Sequence, residues 1–361
     1  MDKIKKILAF LIPVLAYTQT PVLPKYFYKR LEGIITAPTG AMAVTMNLFR
    51  LGSDAGGGYY YNRFGAIIDL SGTIEDDGQI RLRESIGDKE TGVFKGRFVT
   101  DSVVIGAWHN SDSTASYLYQ LRERYPTGSA FCVMNHFDKK LGDGEKDGSY
   151  SVTYTYPRLE KFPDQTVRGL INNQLKADKD PDELEKSMAA DYQTLRESYQ
   201  DDTATAYYYT RRWEKYEISR IVHNDDYLLS IETYHYEYSG GAHPNSAFSL
   251  ISYDLRTGRT FNLTDLLADR DLGKLNRIAE EIFRKDRGLG PKGDLDSAGF
   301  WFDKGQFALN DNYLFTQAGI RFVYNPYEIA AYAEGPIEVL VPYAKIKPLL
   351  KKDNPLREMI K

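Results

Sequence analysis

Hydrophobic and polar residues alternate with a period of two along the first third of the chain. The runs 68–70 and 80–82 each place two aliphatic side chains on one face, and Asp77-Gly78 lies between them as a two-residue hairpin signal. Further glycines occur at turn spacing, and no apolar stripe recurs at helical intervals. The pattern predicts an all-β domain over residues 25–125, an antiparallel meander that is closed or nearly closed into a barrel.

The periodicity becomes helical after this region. An alternating run over 150–156 is followed by two segments typical of helices, "TVRGLINNQLKAD" and "DPDELEKSMAADYQTLRESYQ". In the second, Asp180 is a suitable N-cap residue and Pro181 takes the first helical position. Its apolar residues recur every three or four positions, so we expect this helix to pack against another element.

Three strand patterns fill the region from Trp213 to Phe261, and single elements follow them. "LGKLNRIAEEIFRKD" predicts a helix, "NYLFTQAGIRFVYN" predicts a hairpin that turns at Ala318-Gly319, and "EVLVPYAKIKPLL" predicts a last strand and helix. Strands in blocks with separate helices indicate an antiparallel sheet, because parallel sheets alternate strands with helices. The predicted fold class is α+β: a β meander or barrel, then an antiparallel sheet with packed helices.

The first residues, "MDKIKKILAFLIPVLAYTQT", have the layout of a secretory signal. Lysines precede an apolar run from Ile7 to Ala16, and small or polar residues follow it. The run is too short to cross a bilayer, which needs about 20 apolar residues. We expect residues 1–16 to be a signal peptide, and the mature chain to be periplasmic or extracellular with no transmembrane segment. A buried N-terminal helix is the alternative.

Composition and charge narrow the range of partners. The 361 residues are 42% hydrophobic and 27% charged, as is typical of globular proteins. The formal net charge is −4 and becomes about −6 without the signal. Because no basic stripe is present, nucleic acid is excluded as a partner, and a cationic partner is easier to accommodate. Cys132 is the only cysteine, so no disulfide within the chain is possible.

Catalytic and cofactor motifs are missing from the sequence. It has no G-x-S-x-G elbow, phosphate-binding loop, H-E-x-x-H or dinucleotide fingerprint, and we predict no catalytic residue, metal or cofactor. The best histidine cluster is His235 with Glu237, two apart on one strand face, and His243 in the following loop. A lone histidine beside a glutamate is more often a surface pair than a metal site.

The stretch "YHYEYSGGAHPN" carries the strongest candidates for binding. Tyr234, Tyr236 and Tyr238 share one strand face, where they could stack on sugar rings or, as is more common, form cross-strand pairs. Ser239 and His243 follow in a glycine-rich loop, and the next residue, a proline, restricts the histidine to an extended backbone. The imidazole could contact a ligand, or it could bond backbone carbonyls across its own loop.

The segments "YSGGAHPN", "SYDLRTGRTFNLTDLL" and "IRFVYNPYEIAAYAEGPIEVLVPYAKI", in this order, resemble a family of bacterial envelope domains. The family occurs in the extracellular region of the anti-sigma factor RsiV and ahead of the catalytic domain of the peptidoglycan deacetylase PdaC. The resemblance covers about 129–350 and implies a PdaC-like module, 129–240, and an RsiV-like module, 241–361, in one compact unit. The N-terminal β domain resembles glycine-punctuated domains of exported proteins from Bacteroidetes-like bacteria.

The resemblance implies binding rather than catalysis. In PdaC-like proteins the deacetylase chemistry belongs to a separate metal-dependent domain, whose motifs this chain lacks, and in RsiV-like proteins the shared region recognises lysozyme. We therefore expect a non-catalytic envelope protein that recognises a wall glycan, such as peptidoglycan, or a protein such as lysozyme. The candidate binding residues are Tyr236, Tyr238, Ser239, His243, Asn325, Tyr327 and Glu328.

A carbohydrate-active hydrolase of the envelope is the competing interpretation. Such enzymes place two carboxyl groups about 5 to 10 Å apart across a cleft. Glu328 and Glu334 are the least implausible pair in this sequence. The simpler interpretation is that these two glutamates are a turn residue and a surface charge.

Overall fold

The computed structural model describes residues 21–87, 89–143, 148–175, 180–198 and 212–360. The predicted signal peptide lies outside these ranges, as do the C-terminal ends of the two helices predicted before residue 212.

Two compact units divide the chain. The first comprises the residues up to Lys25 together with Leu31–Arg63 and Ile68–Arg124. The second comprises Tyr26–Arg30, Phe64–Ile67 and Tyr125–Lys361. The second unit therefore includes two short segments from the N-terminal third of the sequence.

The first unit is a closed antiparallel barrel of eight strands. They are β1 (Tyr26–Ala37), β2 (Gly40–Leu51), β3 (Asp54–Tyr61), β4 (Ile68–Ile74), β5 (Gln79–Ile86), β6 (Lys89–Thr100), β7 (Val103–Asn110) and β8 (Ser116–Glu123). The strands follow chain order around the barrel, and β8 closes it by pairing with β1, with Leu31 opposite Glu123. The predicted β meander is confirmed, and it is fully closed.

The barrel interior follows the two-residue period of the sequence. In β5, Ile80, Leu82 and Glu84 are buried, and the residues between them are exposed. The predicted turn at Asp77-Gly78 joins β4 to β5, where the Gly78 amide donates to a backbone carbonyl at 2.9 Å. Each fully buried aliphatic side chain contributes about 1.5–3 kcal/mol of transfer free energy, so the interior aliphatic residues stabilise the closed barrel.

A five-stranded sheet forms the first part of the second unit. Its strands are β9 (Phe131–Leu141), β10 (Ser149–Lys161), β11 (Arg212–Asp225), β12 (Leu228–Tyr238) and β13 (Asn245–Asp254), in the order β13-β12-β11-β10-β9. Three pairings are antiparallel, and β10 pairs with β11 in parallel across a connection that contains α1 (Gln165–Gln174) and α2 (Pro181–Ser198). The α+β class is confirmed, and this parallel pair is the departure from a purely antiparallel sheet.

Helices α1 and α2 cover one face of this sheet. Val167 and Ile171 of α1 are buried in a cluster that includes Ile231 of β12. Met188 of α2 is buried with Trp213 of β11. Because side chains alternate between the faces of a strand, the row of tyrosines on β12 lies on the opposite face, away from these helices.

Three further strands and three helices complete the second unit. They are α3 (Leu263–Leu266), α4 (Leu272–Asp286), β14 (Tyr313–Phe315), β15 (Gly319–Tyr324), β16 (Ile337–Pro342) and α5 (Tyr343–Ile346), with an antiparallel sheet ordered β14-β15-β16. Leu275, Ala279 and Phe283 of α4 recur at helical spacing and are buried in the core around this sheet. The predicted helix, hairpin and last strand are confirmed. Within the described ranges no helix combines the length and hydropathy needed to span a membrane.

A buried ion cluster links the two sheets of the second unit. Glu232 of β12 is 2% exposed and accepts hydrogen bonds from Arg220 of β11 and Arg321 of β15. Burial acts to raise the pKa of Glu232, but the two guanidinium groups outweigh it and hold that pKa below its usual value. The carboxylate is therefore charged at neutral pH and neutralises cations from both sheets.

A second buried cluster lies beside the turn between β11 and β12. Arg30 of β1 forms an ion pair with Asp225, and the amide of Asn224 donates to the Tyr28 hydroxyl at 3.3 Å. His223 is fully buried next to this pair. Burial lowers the pKa of His223 to about 4, helped by the Arg30 cation and opposed by Asp225, so the imidazole is neutral in the fold.

Candidate binding site

The loop between β12 and β13 presents the first of the candidate residues. Glu237 and Asn245 are the last paired residues of the two strands, and the chain between them turns through Gly240 and Gly241, with φ of 100° and 102°. Residues with a Cβ rarely adopt these angles, so the two glycines are what allow the turn. The loop leaves His243 exposed at its tip.

The imidazole of His243 connects its own loop to a second segment. Its Nδ1 lies 2.9 Å from the Pro244 carbonyl oxygen, and its Nε2 lies 3.2 Å from the Tyr327 hydroxyl. A carbonyl can only accept, so the neutral tautomer that satisfies both contacts carries its proton on Nδ1 and accepts from Tyr327 at Nε2. The ring also stacks on Tyr332, with centroids 4.3 Å apart. Of the two roles weighed for this histidine, these contacts show the bond to a backbone carbonyl of its own loop, and contact with a ligand stays a prediction.

Three aromatic rings meet at this point. The Tyr327 and Tyr332 centroids are 5.5 Å apart, and Tyr327 is 6.1 Å from the imidazole. We call His243, Tyr327 and Tyr332 the His243 cluster. Tyr327 is 53% exposed, and its φ of 68° lies in the left-handed region that tyrosine seldom occupies. The cluster is thus a surface feature with a strained backbone at its centre.

Asn325 and Glu328 hold the turn that carries Tyr327. The Asn325 side chain accepts from the Phe248 amide at 2.7 Å and donates to the Phe248 carbonyl at 3.2 Å, which anchors the turn to β13. Glu328 accepts from the Asn325 amide and from the Asn310 side chain, each at 2.8 Å. The polar groups of both residues are thus engaged within the protein, and they position the tyrosine between them.

The tyrosines of β12 form cross-strand contacts next to the cluster. Tyr236 stacks on Tyr216 of β11 with centroids 5.0 Å apart, and Tyr234 lies 5.1 Å from Phe248 of β13. Partial burial, and after it the Glu214 carboxylate, raise the pKa of Tyr236. Tyr332 acts on this pKa in the same direction.

The remaining candidates take different positions. Tyr238 donates its hydroxyl hydrogen to the Gly241 carbonyl at 3.0 Å, which braces the loop, and Ser239 is exposed at the start of that loop. His235 and Glu237 project from the other face of β12, and His235 Nε2 lies 2.9 Å from the Ser249 hydroxyl. No group of three or more potential metal-binding side chains occurs in the described part of the chain.

Sequence reasoning missed Tyr332 and Tyr216. Tyr332 stands five residues after Tyr327 in "NPYEIAAYAEG", a segment already singled out for its family resemblance, so the signal was present but not tied to His243. Tyr216 lies in the predicted strand "WEKYEISRIVHN", and its partner Tyr236 is set by the register between β11 and β12. That register cannot be read from either strand alone.

Acidic side chains accompany the aromatic surface. Glu328 follows Tyr327, Glu334 ends the short turn that begins at Tyr332, and Glu214 accepts the Tyr216 hydroxyl hydrogen at 2.8 Å. Glu328 and Glu334 are exposed. The surface therefore places exposed aromatic rings beside acidic side chains.

The competing hydrolase interpretation needs two carboxyl groups facing each other across a cleft. Both oxygens of Glu328 accept hydrogen bonds within its own turn region, and Glu334 lies on an exposed turn. A surface cavity of about 520 Å³ lies elsewhere, along α4 between Arg277 and Pro291. These contacts fit the simpler view of the two glutamates, in which Glu328 is a turn residue and Glu334 a surface charge.

Family models match two consecutive parts of the second unit. Residues 264–344 match the family described as a protein of unknown function, DUF3298, and residues 144–246 match the model described as deacetylase PdaC. The second match ends just after the His243 loop, and the first contains Tyr327 and Tyr332. No curated protein matches the chain.

One solved structure shows a shared fold, and a second is less similar. A DUF3298 family member from Bacteroides fragilis NCTC 9343 is 20% identical over 64% of this chain and 98% of its own, with a TM-score of 0.55. A DUF3298 family protein from Pseudomonas aeruginosa PAO1 is 17% identical over 62% of this chain and 97% of its own, with a TM-score of 0.45. The second unit is thus similar to the PdaC model in one segment and to the DUF3298 model in the next, the combination that the sequence resembles, and the chain has an N-terminal β-barrel as well.

Proposed function

We propose that this protein is an exported, non-catalytic binding protein of the bacterial cell envelope. The observation that carries the proposal is the His243 cluster, in which two segments far apart in sequence bring three rings together at the surface. Holding a tyrosine in a left-handed conformation costs on the order of 1 kcal/mol. Such strain at an exposed ring is typical of positions kept for contact with a ligand rather than for stability.

The partner that fits this surface is a wall glycan or a basic protein such as lysozyme. Aromatic faces stack on the apolar faces of sugar rings, and tyrosines are enriched among the residues that dominate protein interfaces. The acidic residues around the cluster support a cationic protein, since complementary charge accelerates association and excludes acidic competitors. The family resemblance supports both kinds of partner. The N-terminal signal pattern supports export.

Titration calorimetry with lysozyme, and separately with soluble peptidoglycan fragments, tests the proposal. We expect binding at micromolar concentrations to one of the two. Tyr327→Ala should weaken that binding by about thirtyfold, which is the scale of an interface hot spot. His243→Ala should weaken the binding less, because Tyr332 still packs beside the Tyr327 ring.

Leu170→Ala is the matched control, since Leu170 is an exposed apolar residue of α1 in the same unit. This variant should bind like the unmodified protein. If neither lysozyme nor peptidoglycan binds, or if Tyr327→Ala and Leu170→Ala behave alike, the proposal is wrong. Binding to peptidoglycan without binding to lysozyme would identify the glycan as the partner.

A further inference from the structure

One end of the barrel interior carries a buried carboxylate instead of aliphatic residues. Glu84 is 4% exposed and accepts hydrogen bonds from the Tyr59 hydroxyl at 2.5 Å, the Thr91 hydroxyl at 2.6 Å and Trp108 Nε1 at 2.7 Å. All three donors are neutral. None of the described arginines, lysines or histidines forms an ion pair with Glu84, so no cation of the described protein balances its charge.

Partly exposed aromatic rings surround this carboxylate at the end of the barrel. Trp108 stacks on Tyr117 with centroids 5.5 Å apart and planes within 10°, and Tyr61 meets Tyr59 edge-on at 5.6 Å. These residues lie near the ends of β3, β7 and β8, and Trp108, Tyr117 and Tyr61 each retain part of their surface in contact with solvent. We call Glu84, Tyr61, Trp108 and Tyr117 the Glu84 site.

The sequence makes room for this arrangement with a glycine. Gly92 lies directly opposite Glu84 in the pairing of β5 with β6. A Cβ atom at position 92 would come within 2.7 Å of the Trp108 indole, a distance that real side chains do not tolerate. The small residue therefore lets the indole reach across to the carboxylate.

Stability alone does not account for the Glu84 site. Replacing a buried charge by well-packed apolar residues is usually neutral or stabilising, because removing a carboxylate from water costs several kcal/mol. Leu82, two residues away on the same strand and face, shows that this interior accepts an aliphatic side chain. A buried charge held by neutral donors within an aromatic surround is a feature that ligand binding explains.

We propose that the Glu84 site binds an organic cation, a ligand that carries a primary or quaternary ammonium group. A cation against the faces of Trp108, Tyr117 and Tyr61 is attracted by their π electrons, as in aromatic cages for ammonium groups. The negative charge of Glu84 directly behind the rings adds to this attraction. The hydrogen bond from Trp108 Nε1 to the carboxylate also increases the electron density of the indole. An anion is repelled, and a neutral sugar gains nothing from the charge.

This site lies within the first unit, so it is separate from the proposed envelope binding by the His243 cluster. It gives the barrel a binding role of its own. Either proposal can fail without affecting the other.

Choline and its uncharged isostere, 3,3-dimethylbutan-1-ol, provide the test on the full chain. Saturation-transfer NMR and calorimetry should detect saturable choline binding, and the isostere should bind about tenfold more weakly. Glu84→Gln should reduce the choline affinity about tenfold and leave binding of the isostere unchanged. Tyr117→Leu, which removes a ring without touching the carboxylate, should weaken choline binding severalfold.

Glu75→Gln is the control for net charge, because Glu75 is exposed at the opposite end of the barrel in the β4–β5 turn. It should leave choline binding unchanged. Equal affinity for choline and its isostere overturns the proposal, as does a Glu84→Gln protein that binds choline normally. If Glu84→Gln does not fold, the choline affinities of Tyr117→Leu and Glu75→Gln are compared instead. Equal affinities in these two variants overturn the proposal. Preferential binding of methyl glucoside would indicate a sugar site and also overturn it.

Discussion

The two units each bury a glutamate in a sheet, and the two carboxylates have opposite kinds of partner. Glu84 in the barrel and Glu232 in the second unit are 4% and 2% exposed. Glu84 accepts from two hydroxyl groups and an indole, whereas Glu232 accepts from two guanidinium groups that belong to different sheets. Both side chains are almost fully buried, but the donors to Glu84 are neutral and those to Glu232 are cations.

This difference distinguishes a carboxylate that pairs with cations of the protein from one that does not. Glu232 neutralises the cations around it, so the fold depends on its presence. Glu84 accepts hydrogen bonds from neutral groups and forms no ion pair with a described arginine, lysine or histidine, which is the basis for proposing a cationic ligand there.

Removing the charge of Glu232 should produce the largest loss of stability. Glu232→Gln leaves Arg220 and Arg321 without their carboxylate, and breaking a buried ion pair in this way costs about 3–5 kcal/mol. Urea unfolding, with hydrogen exchange to resolve the second unit, measures the change. Glu338→Gln is the control, since Glu338 lies 3.8 Å from Arg321 but is 54% exposed, and its loss should cost less than about 0.5 kcal/mol.

Acid should weaken the second unit in two stages. The folded pKa of His223 is about 4, below the unfolded value of 6.5, so its stabilising effect is complete above pH 6.5 and is lost as the pH falls from there toward 4. The difference between a pKa of 6.5 and one of about 4 corresponds to a loss of about 3 kcal/mol when it is complete. Glu232, whose pKa is also lowered, should add a further loss below about pH 4.5.

Denaturation midpoints at pH 7, 6 and 5 test the first stage. His223→Leu should abolish most of the slope between pH 7 and 5, because the variant has no imidazole to protonate. A slope that persists in His223→Leu would show that another group controls stability in this range.

Replacing the buried glutamate of the barrel by glutamine should have little effect on the stability of the barrel. Glu84→Gln retains an acceptor for the hydroxyl and indole donors and leaves no cation without a partner, so the stability should change by about 1 kcal/mol or less. Thermal unfolding monitored by near-ultraviolet circular dichroism of the barrel aromatics measures it. A loss as large as that of Glu232→Gln would contradict the contrast between the two glutamates.

The smallest effect is expected at the His243 cluster, with the opposite sign. Tyr327→Gly relieves a φ of 68° at an exposed position, so the stability should stay unchanged or rise by up to about 1 kcal/mol while binding is lost. Tyr327→Phe keeps the ring and removes only the hydrogen bond to His243, so it should retain most of the binding. A clear loss of stability in Tyr327→Gly would mean that this ring supports the fold.

Local sequence signals predicted most of the architecture. The alternating pattern and the Asp77-Gly78 turn were enough to predict the barrel. Every neighbouring pair of its strands except the closing one is adjacent in sequence. Pro181 marks the start of α2 as expected. The parallel pairing of β10 with β11 was not predictable, since the two strands are separated by both helices and no local pattern encodes their register.

The candidate site was predictable only in part. His243 and Tyr327 were found through their segments, yet their contact depends on Asn325 anchoring its turn to the backbone of Phe248, 77 residues earlier. The partners of Glu84 come from three other strands of the barrel, and its own strand looks like any alternating run. Convergence of this kind arises from tertiary packing and leaves no trace in local periodicity.

The first five residues of β1 have a consequence for the order of folding. Tyr26–Arg30 belong to the second unit, where Tyr28 is part of a buried cluster and contacts Asn224, 196 residues away in sequence. These residues of β1 therefore cannot reach their buried positions until the chain beyond Asp225 has been synthesised. A fragment that begins after the barrel would lack this segment, and we expect it to leave Asp225 without its arginine and to fold slowly or incompletely.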